Sequence, residues 1–262
     1  MSPLTNITGT VTAALAALLL VGCSSVAPGT ILPVSSSLPA VTALPADADP
    51  GQPAPTESTR QTLPAGIRTV TVSDASGDVA VTGVDGARIT LVRHVFAYSA
   101  RPPETVKTTG SDLRIDAPSC AADDGLQPCR IDYEIQVPRS MVVSLTGASG
   151  NLTLTGITGQ QSAIAASGNV KVMGSSGAVT ARSTSGNVTV QAAAVPQSLE
   201  AGSVSGNASV AVPGGRYRVE TATTSGDSDV TIANDAAATA LIHVTSVSGN
   251  VSLGTALHEH DD

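Results

Sequence analysis

Three residues of this chain, Glu200, Glu220 and His243, fall at one offset, five positions ahead of a serine that recurs through the sequence. Two carboxylates and an imidazole brought together by a repeat can do acid–base work or hold a metal ion. On neighbouring strands the carboxylates would stand about 5 Å apart, the separation of retaining glycosidases, and one of the pair would be pushed toward protonation. Arg218 lies two residues before Glu220 and so on the same face of a strand. That cation gives the column its simpler reading, a solvated salt-bridge patch, and we expect that reading, with no catalytic residues and no metal site.

Other chemistries leave no trace in the sequence. There is no phosphate-binding loop, no nucleophile elbow, no HExxH zinc motif and no calcium-binding nonapeptide. A net charge of −8 with 13 basic residues argues against nucleic acid, which needs clustered Lys and Arg, and against docking on anionic lipid. Trp is absent and there are only three Tyr and one Phe, so the flat platforms that stack on sugars are scarce. No cofactor is expected.

The elements that would position the column are set by a triplet, Ser-Gly-Asn or Ser-Gly-Asp. It occurs at residues 76–78, 149–151, 167–169, 185–187, 205–207, 225–227 and 248–250. From Gly150 onward its glycines are 18, 18, 20, 20 and 23 residues apart. A period near 20 marks a solenoid, in which each repeat buries its apolar side by stacking on its neighbours. Aligned on the serine, apolar residues stand six positions before it (Val70, Val143, Val179, Leu199, Val219, Ile242) and small ones two before. Alternating apolar pairs follow it, as in Leu152/Leu154, Val170/Val172 and Val188/Val190. Period two on both sides of a glycine predicts two short strands per repeat with one face inward. Ser176-Gly177-Ala178-Val179 falls midway between two triplets, so each repeat is itself doubled.

The chain is therefore expected to be an all-β β-solenoid over residues 66–254, with repeats of 18–23 residues. Residues 66–138 would form irregular first rungs with a Cys-bearing loop, and 139–254 the regular ones. The glycine and the following Asn or Asp suit a corner in left-handed backbone, and the stacked Asn151, Asn169, Asn187 and Asn207 suggest a side-chain ladder. Two longer strands are expected at Ile89–Phe96 and Cys129–Val137, with a further short one at Asp112–Asp116, together capping one end.

Residues 11–21 are a short apolar run ending in Leu-Val-Gly-Cys23, which resembles a lipoprotein lipobox. It implies cleavage after residue 22 and lipid on Cys23, and hence an extracytoplasmic chain anchored to the cell membrane. Cys120 and Cys129 remain, and in an exported chain they can form a disulfide across AADDGLQP; no further ligand nearby supports a metal. Residues 23–65, with 8 of the 16 prolines between 24 and 64, read as an extended tether. Residues 255–262 read as an acidic, His-bearing solvated tail.

Ile131, Tyr133, Ile135, Val137 and Pro138, followed by Leu152-Thr-Leu-Thr-Gly156 and its successors, resemble the DUF4097 family, known as adhesin candidates. The resemblance spans about residues 66–254 and implies a β-helical, exported protein. We expect a non-enzymatic surface lipoprotein that contacts cell-wall polysaccharide or an envelope protein through Thr/Ser faces such as Thr153, Thr155, Thr180, Thr189 and Ser209. Self-association through an exposed end rung is open. The alternatives are an accessory subunit of an envelope-stress sensor, which some relatives accompany, and a carbohydrate-active β-helix enzyme built on Glu200, Glu220 and His243.

Overall fold

The computed structural model describes residues 55–97, 102–119 and 129–255, all within one compact unit, Gly51–Asp262. The expected signal peptide, Cys23, the tether before residue 55, Cys120 and residues 256–262 lie outside the described residues.

Nineteen strands and no helix make up the described chain. In order they are β1 (Glu57–Thr62), β2 (Thr69–Asp74), β3 (Val79–Val84), β4 (Thr90–Ala97), β5 (Thr105–Thr109), β6 (Asp112–Ala117) and β7 (Cys129–Pro138). Then come β8 (Val142–Gly147), β9 (Leu152–Thr155), β10 (Gln161–Ala165), β11 (Val170–Ser175), β12 (Val179–Ser183) and β13 (Val188–Ala192). The last are β14 (Ser198–Ser203), β15 (Ala208–Val212), β16 (Arg218–Ser225), β17 (Ser228–Val230), β18 (Leu241–Ser248) and β19 (Val251–Thr255).

They form a β-solenoid of two sheets. One sheet runs β1-β4-β7-β3-β9-β11-β13-β15-β19-β17 and the other β16-β18-β14-β12-β10-β8-β2-β6-β5. Each Ser-Gly-Asn/Asp triplet carries the chain from the second sheet to the first, so one rung is one strand of each. Inward residues alternate with outward ones, as the period-two pattern requires. Val70, Val143, Val179, Leu199 and Ile242 fill one inward column, each almost fully buried. Val79, Leu152, Val170, Val188 and Val251 face them from the other sheet. Small residues such as Ala163, Ala181 and Ala201 sit between, where two closely packed sheets leave little room.

The corner glycines serve close approach. A Cβ on Gly168 would lie 1.8 Å from the Gly150 carbonyl oxygen, and one on Gly150 would lie 1.7 Å from that of Gly77. Only a hydrogen fits. Among the triplet glycines Gly226 alone has a positive φ, so left-handed backbone, the reason expected from the residue type, is not what selects glycine here. The half-repeat marks the opposite corner: a Cβ on Gly177 would meet the Gly159 carbonyl oxygen at 2.1 Å.

Stacking order departs from chain order at both ends. The rung β18/β19 lies inside the stack, between β14/β15 and the terminal rung β16/β17. Two inward positions favour it: Val244 and Val251 need cover on both sides, whereas their register partners Thr221 and Ser228 tolerate water. β19, the last strand in the chain, is therefore not the end of the stack. At the other end β6/β7 lies outside β2/β3, and antiparallel β4, β1 and β5 close the two sheets. Folding also begins before residue 66. β1 pairs with β4 inside the expected tether, and as a polar strand exposed on both faces it has no apolar alternation to announce it.

Candidate functional site

The outer face of the second sheet carries one continuous column. Strand register places Arg114, Thr71, Ser144, Ser162, Thr180, Glu200, His243 and Glu220 side by side. The three residues singled out from sequence thus share one face, in an order the sequence did not suggest. Glu200 pairs in register with His243, and His243 with Glu220. With rungs about 4.8 Å apart, the two carboxylate-bearing positions stand about 9.6 Å apart rather than 5 Å. The expected neighbouring-carboxylate geometry is thereby overturned, because β18 is inserted between β14 and β16.

Each carboxylate also has a cation. Arg218 Nε lies 4.0 Å from Glu220 Oε1, as its spacing implied. Glu200 is paired with Arg182, two residues beyond Thr180 on the same face. Sequence reasoning missed Arg182; the signal was its offset, three residues before the repeat serine, which puts it on the outer face. All four charged side chains are at least 36% exposed. Exposed pairs of this kind contribute about 0–1 kcal/mol each. Among the described residues no group of three or more His, Cys, Asp or Glu is placed to hold a metal.

The first sheet presents a second column. Ala80, Thr153, Lys171, Thr189, Ser209, Ser252 and Asp229 stand in register on its outer face. Thr155 pairs with Met173 in the next outward row. Of the expected contact residues, Thr153, Thr189 and Ser209 are brought together, and Thr180 lies on the opposite sheet.

Between the faces runs the corner ladder. The side-chain oxygen of each member accepts the main-chain N–H of the next, from Asp132 through Asp78, Asn151, Asn169, Asn187, Asn207 and Asn250 to Asp227, at 2.7–3.1 Å. The bond is chiefly side chain to backbone; side-chain amides join at Asn151 and Asn169. A second file of bonds lies just inside. Ser183, Ser203, Ser246 and Thr223 donate their hydroxyls to the carbonyls of Gly168, Gly186, Gly206 and Gly249 at 2.7–2.9 Å.

One buried polar cluster was not legible from sequence. Inward-facing Arg93 of β4, 7% exposed, donates to Glu104 at 2.6 Å and to Gln61 at 3.0 Å. The Tyr133 hydroxyl donates to the same Glu104 oxygen at 3.1 Å. Burial first, then the Glu104 charge, holds the phenol protonated far above its usual range. The cluster lies under the closing strands, where an apolar core would otherwise meet water. Cys129 opens β7; its expected partner Cys120 lies outside the described residues.

A family model described as Toastrack DUF4097 matches residues 62–261. No curated protein matches the sequence. Among solved structures, a candidate cell adhesion protein from Clostridium sporogenes is 11% identical at a TM-score of 0.47, covering 76% of this chain and 99% of its own. A candidate adhesin from Bacteroides fragilis is 14% identical at a TM-score of 0.39, covering 76% and 97%. A candidate lipid binding protein from Parabacteroides distasonis is 14% identical at 0.25, covering 78% and 98%.

Proposed function

This chain belongs to the Toastrack DUF4097 family, and from that premise we propose a non-enzymatic, adhesin-like protein of the bacterial surface. The observation that carries the reading is the in-register hydroxyl column Thr153–Thr189–Ser209–Ser252, interrupted by Lys171. Donors and acceptors repeated at the rung spacing of about 4.8 Å, on a sheet held rigid by the corner ladder, suit an extended partner rather than a small molecule. Cell-wall polysaccharide has that character. The Glu200–His243–Glu220 column serves in this reading as a solvated, arginine-balanced surface.

In the same proposal Cys23 carries the lipid that holds the protein at the membrane, and residues 23–56 supply reach through the adjoining polymer. Cys120 and Cys129 form a disulfide that closes the loop before β7. Two experiments test the anchor and the contact face. Cys23→Ser should move the protein from the membrane fraction to the soluble exported fraction; retention in the membrane would remove the anchor. Replacing Thr153, Thr189 and Ser209 together by Asp should weaken binding to isolated wall polymer at least tenfold. Unchanged binding would remove this face from the proposal.

A further inference from the structure

Asp74 sits where the hydroxyl file should have another serine. In the second sheet it shares the inward column of Ser183, Ser203, Ser246 and Thr223. It is 5% exposed. Its Oδ1 accepts the N–H groups of Ser76 at 3.0 Å and Gly77 at 3.2 Å. Its Oδ2 is buried and has no hydrogen-bond partner.

The surroundings of Oδ2 repeat those of the serine hydroxyls. A Cβ built on Gly186 would lie 2.2 Å from the Gly168 oxygen and 2.9 Å from Ser183 Oγ, and those two atoms share a hydrogen bond. The same construction on Gly206 meets the Gly186 oxygen at 2.4 Å and Ser203 Oγ at 2.9 Å, again a bonded pair. On Gly77 it meets the Ile131 oxygen at 1.8 Å and Asp74 Oδ2 at 2.8 Å. Oδ2 therefore occupies the place of the hydroxyl donor and Ile131 O that of the accepting carbonyl.

A bare carboxylate oxygen there would face a carbonyl oxygen with nothing to share. We propose that Asp74 holds a solvent-derived proton on Oδ2 and donates it to the Ile131 carbonyl, making a pH-sensitive staple between the β2/β3 rung and the β6/β7 rung. The charged groups facing it favour the protonated form. Burial is the largest cause raising the Asp74 pKa, the Ser76 and Gly77 N–H groups act against it, and Asp132 on β7 and Asp78 after β2 add to burial, so that the net direction is upward. Arg130 on β7 is engaged with Asp132 at 3.1 Å, and Asp116 on β6 with Arg114 at 2.6 Å. On β8 the in-register neighbour is Gly147, which brings no charge.

A carboxyl that binds its proton more tightly when folded stabilises fully below the unfolded value of about 4, and loses that contribution as pH rises through the folded value. Asp74→Asn keeps a donor and an acceptor at every pH, and Asp74→Ser restores the hydroxyl of the file. Thermal unfolding of the full chain from about pH 4 to 8 should therefore show Asp74→Asn melting above wild type at neutral pH, by about 2–4 °C, with the gap closing toward pH 4. A gap that is constant with pH, or a variant below wild type throughout, would overturn the staple. Carbon-13 observation of the wild-type side chain is independent of how either variant folds. The Asp74 carboxyl should titrate above the other aspartates, and titration at or below about pH 4 would equally overturn it.

Discussion

Glu200 and Glu220 stand on opposite sides of His243, each paired with it in register across one rung of the second sheet. Arg182 holds the first and Arg218 lies 4.0 Å from the second, so the face is a string of exposed, mutually balanced charges. Exposed pairs lose in solvation and side-chain order most of what they gain in attraction. Glu200→Gln and Glu220→Gln should each change unfolding free energy by less than about 1 kcal/mol, read by urea denaturation. A loss of several kcal/mol from either would mean that the column is structural.

The corner glycines predict the sharpest contrast. Gly168→Ala puts a Cβ 1.8 Å from the Gly150 carbonyl oxygen, a backbone atom that cannot step aside without shifting a rung. It should cost about 3 kcal/mol or more. Gly214→Ala, whose Cβ would meet nothing within 4 Å, should stay within about 0.5 kcal/mol of wild type. Equal effects in chemical denaturation would dismiss close approach as the reason for glycine.

The legible part of this fold was column membership. Aligning on the repeat serine placed Glu200, Glu220 and His243 on one face because parallel in-register stacking keeps every offset. Stacking order was harder, since β16/β17 and β18/β19 satisfy the same columns. The signal was polarity at two inward positions. Thr221 and Ser228 can end a stack more readily than Val244 and Val251, their register partners, but the remaining inward positions are alike on the two rungs, so the contrast is slight. Arg93, Glu104 and Tyr133 were not legible together. They lie on β4, before β5 and on β7, and antiparallel closure rather than the repeat joins them.

The ladders inside the corners should each contribute modestly per bond. Ser203→Ala removes the hydroxyl that donates to Gly186 O at 2.8 Å, and Asn187→Ala removes the oxygen that accepts from Asn207 N–H at 2.9 Å. Each should lower stability by about 0.5–1.5 kcal/mol, with less from Asn187 because water can reach its partner. Calorimetric midpoints for both variants check this. An unchanged Ser203→Ala would sever the hydroxyl file from stability.

Tyr133→Phe probes the closing cluster. It removes one donor from Glu104 and leaves the Arg93 pair in place. We expect a loss of about 1–2 kcal/mol, and a larger loss for Glu104→Gln, which strands a buried guanidinium. Hydrogen exchange should place the added opening in β4 and β7. Opening centred on β16 instead would detach the cluster from the end it closes.

The central claim, that the solenoid surface contacts an extended envelope polymer, is tested most directly by sedimenting residues 51–262 with isolated cell-wall polymer over a concentration series. The account predicts saturable co-sedimentation that survives Glu200→Gln and Glu220→Gln and weakens at least tenfold when Thr153, Thr189 and Ser209 are together replaced by Asp. Protein that stays in the supernatant at every concentration would contradict it.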